Sequence, residues 1–133
     1  MQGGAAFGAL FEVITATIDE AKGAGGEAGE LADQLAASLG RLAETTGKLW
    51  ADRDPELALA NATLYLEAAG HIVLAWIWLQ QYLAAAGKEG EFYDGKRQAT
   101  RYFFRFELPK TGPQFDLLAS LDRTTLEMED AWF

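Results

Sequence analysis

The sequence contains no cysteine, a single histidine and only three prolines, and these shortages exclude several kinds of site. Without cysteine there is no disulfide scaffold, no thiolate nucleophile and no cysteine-ligated metal. One histidine, His71, cannot complete a zinc site or the paired Glu-x-x-His motifs of di-iron bundles. Glu67 precedes it by four residues, which suits a hydrogen bond on one helix face, so we interpret His71 as a buried histidine whose ring nitrogens bond Glu67 or a neighbouring helix rather than as half of an acid/base pair.

Positive charge and long apolar runs are also scarce. The formal net charge of -9 argues against general affinity for nucleic acid or for an anionic membrane surface. The longest apolar run, Ile72 to Leu79, covers eight residues, whereas a bilayer needs about twenty, so we predict no membrane span. The first residues, 1–4, lack the basic region of a signal peptide and resemble a start made inside a longer protein. We therefore expect a cytoplasmic protein.

Hydrophobic residues and alanine are plentiful. Half of the 133 residues are hydrophobic, which is enough for one core in a single domain over residues 1–133. Alanine is abundant and β-branched residues are few, which favours helix over strand. We therefore predict an all-α fold, an up-and-down helical bundle of four to five helices.

Apolar periodicity and capping residues set the predicted helix bounds. Asp54 is a good N-cap before Pro55, and Gly87 is a good C-cap. The helix between them is apolar all round its middle turns, so we expect other helices to surround it, with a bend at Gly70 left open. The predicted helices are 5–22, 27–50, 55–86, 91–108 and one that starts at 112–113 and keeps its period to 128.

A basic stripe is the first candidate interaction feature. Arg97, Arg101 and Arg105 recur every four residues, with Lys96 beside them. They could contact an anion, such as a nucleotide phosphate or the acidic face of another domain. We favour ion pairing with Asp94, Glu107 and the acidic faces of the first two helices, because surface charge runs usually serve solubility.

Two tryptophans complete the candidate surface. Trp76 and Trp78 are two residues apart, so on a helix they point about 200° away from each other. One could face the core and the other a different helix or a partner, although we favour both being packed inside one domain. The candidate interaction surface is therefore Lys96, Arg97, Arg101, Arg105, Trp76 and Trp78.

No catalytic pattern emerges from the residues themselves. The glycine-rich stretch 23–29 follows a helix and lacks the Lys-Ser/Thr ending of a phosphate-binding loop. Ser38 and Ser120 have no nucleophile-elbow context. We predict no catalytic, cofactor-binding or metal-binding residue in this chain.

Residues 58–133 resemble a known helical domain. The resemblance is carried by Tyr65-Leu66, Gly70-His71-Ile72-Val73-Leu74-Ala75-Trp76, Phe92-Tyr93, Lys96, Ala99-Thr100-Arg101-Tyr102-Phe103, Leu108-Pro109 and the acidic-aromatic end. This half resembles the C-terminal helical domain of the acyl-CoA dehydrogenase family, in the branch that includes 3-methylmercaptopropionyl-CoA dehydrogenases. The earlier helices fit the same domain in position and pattern.

The resemblance implies an accessory domain of a longer flavoenzyme. In such enzymes other domains hold FAD and the catalytic glutamate, and no glutamate of this chain matches that base. The expected partners are the remainder of the parent dehydrogenase, further subunits of a homo-oligomer such as a dimer, and the acyl-CoA substrate of the parent. The domain would pack on the core, shape or cover the acyl-CoA site, or hold subunits together.

Two alternatives remain open beside the resemblance. One is a free-standing interaction module that dimerises through the aromatic residues of the third and fourth predicted helices. The other is a small acyl-thioester-binding bundle with the arginine stripe at the mouth of an internal pocket.

Overall fold

A computed structural model describes residues 2–51 and 54–133, and within these ranges the chain forms helices and connecting segments with no β-strand. The α-helices are α1 (Gln2–Ala24), α2 (Gly26–Ala51), α3 (Pro55–Leu59), α4 (Ala62–Ala85), α5 (Glu91–Tyr102) and α6 (Thr111–Ala119). The predicted all-α bundle is confirmed, with five longer helices and the short α3.

The first two helices form a hairpin around a glycine pair. Gly25 and Gly26 have φ angles of 72° and 56°, in the left-handed region that favours glycine. The predicted glycine break is confirmed, although α1 continues to Ala24 before it. Every third or fourth residue of α2 then enters the core, through the buried leucines Leu31, Leu35, Leu39, Leu42 and Leu49.

The most apolar helix, α4, lies at the centre of the bundle and packs against α1, α2, α5 and α6. Ile72 and Leu79 on this helix are fully buried. The prediction that other helices surround α4 was wrong, because Leu66, Leu74 and Ile77 are exposed. The four neighbouring helices pack on the remaining sides of α4 and leave one apolar side uncovered.

The predicted helix 55–86 is interrupted, and the interruption lies at Ala60 and Asn61 rather than at Gly70. The predicted caps are confirmed: Asp54 accepts hydrogen bonds from the backbone amides that follow Pro55, and Gly87 has a φ of 74°. The interruption is stabilised from the far end of the chain. The Asn61 side chain donates to the carbonyl of Asp122 (3.1 Å), and Thr125 donates to the carbonyl of Ala60 (2.9 Å).

The predicted helix 91–108 does not end before Pro109. Its backbone hydrogen bonding changes instead from the α pattern to the π pattern and then to the 3₁₀ pattern. After α5 the chain forms a π-helical segment, Phe103–Glu107, and then a 3₁₀ turn, Leu108–Lys110, which leads directly into α6. Pro109 has no N–H to give to the carbonyl four residues back, so a regular α-helix cannot pass through it. The Leu108 amide bonds the carbonyl of Phe103, five residues earlier, as a π-helix requires.

The last helix is shorter than its apolar period predicts. α6 ends at Ala119, whereas the pattern continues to Met128. Leu121 has a φ of 57°, which is incompatible with a right-handed helix. The Asp122 carboxylate then accepts from the Thr124 amide at 3.1 Å, and this local bond competes with helix formation.

Among the described residues, one helix, α4, is long and apolar enough to span a bilayer by length and composition alone. A mostly buried core helix can meet the same criterion; α4 packs against four other helices, and 22% of its apolar window is buried. The absence of a membrane span stays a prediction.

Candidate interaction surfaces

The arginines of the basic stripe contact different helices. Arg97 lies against the end of α4, where it donates to the Ala85 carbonyl at 2.8 Å and to the Asp94 carboxylate at 2.6 Å. A cation suits this position because the last carbonyl groups of a helix have no partner within it. Arg97 therefore ties the start of α5 to the end of α4, and its expected pairing with Asp94 is present.

Arg101 joins α5 to the start of α2. It donates three hydrogen bonds of 2.8–3.0 Å to the Glu27 carboxylate, which also accepts from the Tyr82 hydroxyl at 2.6 Å. The Arg101 guanidinium, followed by the Tyr82 hydroxyl, holds the pKa of Glu27 below its ordinary value. Burial and the adjacent carboxylate raise the pKa of Tyr82. One carboxylate thus connects α2, α4 and α5.

This three-helix contact predicts a pH-dependent stability. A lowered folded-state pKa stabilises the fold above the unfolded value, about 4.5, and the gain is lost as pH falls through the folded value. We expect Glu27→Gln to lower the free energy of unfolding by no more than about 1 kcal/mol at pH 7, because solvent screens these half-exposed groups. The difference should be smaller at pH 3 than at pH 7, because the carboxylate is protonated as pH falls through its lowered pKa.

Urea unfolding at both pH values measures this difference. Glu30→Gln is the matched control, because Glu30 lies on the same helix and makes no ion pair with a described residue. Equal pH dependence of the two variants would contradict the assignment.

Lys96 and the two tryptophans pack within the bundle. The Lys96 ammonium lies 5.9 Å from the ring centre of Trp78 and 5.3 Å from that of Phe92, within cation–π range. Trp76 instead donates its indole N–H to Thr17 of α1 at 2.8 Å. The two tryptophans thus point to different helices, as predicted, and both are partly buried.

His71 and Glu67 contact each other, although not through the Glu67 carboxylate. One ring nitrogen of His71 lies 3.0 Å from the Glu67 carbonyl, and the other lies 3.5 Å from the carboxylate of Glu107. Glu107 also accepts from Lys110, and this ammonium, ahead of His71, lowers the pKa of Glu107. The Glu67 carboxylate accepts from Gln114 of α6. Through these contacts, His71 and Glu67 hold α4 against the segment after α5 and against α6.

A groove of about 830 Å³ separates α2 from the α5–α6 segment. We name it the arginine groove. Ion pairs lie toward its two ends: Arg101 with Glu27, and Arg41 with Asp116 at 2.9 Å. Its apolar lining is formed by Leu31, Phe104, Leu108 and Phe115, and its polar lining includes Gln34, Ser38 and Gln98.

Arg105 is the remaining arginine that lines this groove. It is exposed and makes no ion pair with any residue in the described ranges. It lies one turn beyond Arg101 on the same segment. The stripe therefore divides into Arg97 at the end of α4 and two arginines in the groove.

A second candidate surface consists of exposed apolar residues on α4 and on the segment from the end of α5 into the π-helix. Leu66, Leu74 and Ile77 are exposed on α4, and the rings of Tyr102 and Phe106 stack with centres 4.9 Å apart, each more than half exposed. We name these five residues the α4–α5 face. Exposed large apolar side chains make these residues a candidate contact surface.

Neither this face nor Arg41 was predicted from the sequence. A helix apolar all round was interpreted as a fully surrounded one, although a bundle of five helices cannot cover every side of one member. The spacing of 66, 74 and 77 places these residues within one side of a helix, so the pattern itself carried the signal.

Among the described residues, the glycine-rich start of α2 is poorly suited to a phosphate group. A helix N-terminus that binds phosphate offers free backbone amides and the positive end of the helix dipole. The glycine-rich start of α2 instead carries Glu27 in its first turn, and the Gly25 amide is used to close α1. No group of three His, Asp or Glu side chains with metal-binding geometry occurs among the described residues.

Comparison with protein families assigns the domain. Residues 10–129, most of the chain, match the family described as "Acetyl-CoA dehydrogenase C-terminal like". The chain therefore belongs to this family. No curated protein and no solved structure matches it.

Proposed function

We propose that this chain is the accessory C-terminal domain of an FAD-dependent acyl-CoA dehydrogenase and that it acts by packing rather than by catalysis. The family match over residues 10–129 carries the proposal. The parent belongs to the branch of 3-methylmercaptopropionyl-CoA dehydrogenases, holds FAD in its other domains, oxidises an acyl-CoA and works in the cytoplasm as a homo-oligomer such as a dimer.

The α4–α5 face is the surface through which the domain packs on the catalytic core or between subunits. Leu74 and Phe106 are among its five apolar side chains, and aromatic groups dominate the energetics of such contacts. The ion pairs of the bundle also support a role in packing rather than in ligand binding. Arg101 and Arg41 are held in ion pairs between helices, so their charges stabilise the bundle.

The full-length product of the native gene tests the proposal. We expect its reading frame to encode a flavin-dependent dehydrogenase together with this chain, and the purified protein to carry FAD and oxidise an acyl-CoA. We expect the triple variant Leu74→Ser, Tyr102→Ser, Phe106→Ser to keep its FAD and to lose subunit assembly or acyl-CoA oxidation by more than about tenfold, because the face loses its apolar contacts.

The matched control is Val13→Ser. Val13 is an apolar residue on α1, exposed to 45%, and lies outside the α4–α5 face. Sedimentation velocity, flavin absorbance and an acyl-CoA oxidation assay give the three readouts. A reading frame without dehydrogenase sequence would overturn the assignment in favour of a free-standing interaction module. A triple variant that behaves like Val13→Ser would overturn the role of the face.

A further inference from the structure

The exposed side of α4 repeats every seven residues along most of the helix. Four exposed residues form this repeat: Thr63, Gly70, Ile77 and Ala84. Seven residues fall about 20° short of two full turns, so the four positions form a nearly straight line. Three more residues lie beside it: Leu66, Leu74 and Gln81. We name these seven residues the α4 seam, and their spacing by threes and fours is that of helices that pair lengthwise.

The α4 seam carries no charge, unlike the exposed sides of the other helices. The one acidic or basic residue of α4 other than His71 is Glu67, whose carboxylate already accepts from Gln114 of α6. Among the described residues, every other α-helix exposes at least one charged side chain: Asp19, Asp33, Glu56, Glu91 and Asp116 in turn. A charged surface placed against the seam would lose hydration without gaining an ion pair. The helical surface of this chain that matches the seam is therefore the seam of another copy.

The seam is complementary to itself when two copies of α4 run antiparallel. A two-fold axis that passes between Val73 and Leu74 crosses the middle of the helix, Ala62–Ala85, so the two helices overlap along their whole length. Under this axis Thr63 faces Ala84 of the second copy, and both side chains are small enough for the helices to lie close. The seven-residue repeat is thereby mapped onto itself, as a two-fold contact requires.

Gly70 and Ile77 favour the antiparallel direction. A Cβ atom added at Gly70 would meet nothing within 4 Å, so the glycine leaves a notch in the exposed surface of α4. Ile77 is 38% exposed, and in the antiparallel pair it faces this notch in the other copy. A parallel pair would set isoleucine against isoleucine and glycine against glycine, which leaves the notch unfilled. Its helix dipoles would also be aligned side by side and repel each other.

We propose that the partner of the α4 seam is the α4 seam of a second copy, in an antiparallel two-fold pair with Ile77 seated at Gly70. This inference rests on the proposed function, which assigns the exposed residues of α4 to packing, and it names the partner and the register. At about 1.5 Å per residue the contact is about 33 Å long, and a helix width of about 10 Å gives on the order of 300 Å² per copy. A standard interface buries about 800 Å² per partner, so isolated domains pair weakly and the other domains of the parent hold them together.

Disulfide trapping tests the register in the full 133-residue chain, which has no native cysteine. One preparation carries Thr63→Cys, and a second, with a tag of different size, carries Ala84→Cys. The two are mixed in equal amounts at high protein concentration and oxidised. An antiparallel pair joins the two preparations, whereas a parallel pair joins each preparation to itself. The control replaces Ala84→Cys by Ala16→Cys, because Ala16 is an exposed alanine on another long helix, α1.

We expect the mixed Thr63→Cys and Ala84→Cys product to exceed the same-preparation products and the Ala16→Cys mixture by at least about tenfold, because pairing raises the local concentration of the two thiols. Gly70→Leu should remove this excess, since the new side chain fills the notch and meets Ile77 of the second copy. Adding Ile77→Ala to Gly70→Leu should restore it by exchanging the large and small positions. Position 70 faces open space within one chain, and circular dichroism melting curves confirm that each variant is folded.

Three results would overturn the inference. The first is a mixed product no greater than that of the Ala16→Cys control. The second is an excess of same-preparation products, which would make the pair parallel. The third is a mixed product that Gly70→Leu leaves unchanged.

The outcome for the proposed function is read separately, because the trapping assay contains no flavin, acyl-CoA or catalytic domain. If trapping fails while the triple variant of the full-length protein still loses acyl-CoA oxidation, the seam packs on the catalytic core and the proposed function stands. If the pair is trapped but the reading frame lacks dehydrogenase sequence, the proposed function fails and the contact belongs to a free-standing interaction module.

Discussion

Leu79→Ala is expected to lower the free energy of unfolding by about 2–5 kcal/mol, because it leaves a cavity in a packed core. Leu79 is fully buried, in the core cluster that α1, α2, α4 and the segment after α5 share. A domain of this size has a total stability of about 5–15 kcal/mol, so the variant should lose a large part of it. Equilibrium unfolding in urea at pH 7 measures the change.

The same helix provides the control for this measurement. Leu66→Ala removes the same atoms from a side chain that is 67% exposed, so we expect a change within about 0.5 kcal/mol. If the two variants lost similar stability, the assignment of the buried and exposed sides of α4 would be wrong. The pair therefore tests the orientation of the central helix as well as the cost of the cavity.

Ala75→Leu should lower the free energy of unfolding by about 1–3 kcal/mol through overpacking. Ala75 is fully buried on α4, where a small side chain lets the neighbouring helices approach closely. A leucine there adds three carbon atoms to a site that has no space for them, so side chains or backbone must shift. Thermal unfolding followed by circular dichroism reports the loss.

Ala84→Leu is the matched control for this insertion. Ala84 is also on α4, near its C-terminal end, and is exposed. Leucine and alanine have similar helix propensities, so we expect almost no change at this site. A large loss at Ala84, or none at Ala75, would contradict the packing described for the central helix.

Local signals in the sequence were sufficient to predict the helices and several of their ends. Asp54, Pro55 and Gly87 act through their own backbone geometry, so their neighbours in the chain determine their roles. The interruption at Ala60 and Asn61 depends on Asp122 and Thr125, more than sixty residues away. No local pattern contains such a contact, and the predicted helix 55–86 was therefore too long.

The candidate surface was only partly predictable for the same reason. The spacing of Arg97, Arg101 and Arg105 placed them on one predicted helix, but Arg101 bonds Glu27 on α2 and Arg97 also bonds the end of α4. Glu27 reaches Arg101 across 74 positions in the chain, and its role could not be derived from helix periodicity. The exposed α4–α5 face depends on how many helices pack around α4, which is a property of the whole bundle.

The π-helical segment Phe103–Glu107 has a consequence for comparing related chains. A π turn holds more residues than an α turn, so side chains after it are rotated relative to those before it. Arg101 reaches α2 before the segment, while Glu107 at its end reaches His71 on α4. An alignment that assumes one regular α-helix through this region would therefore assign the residues after Glu107 to the wrong side of the helix.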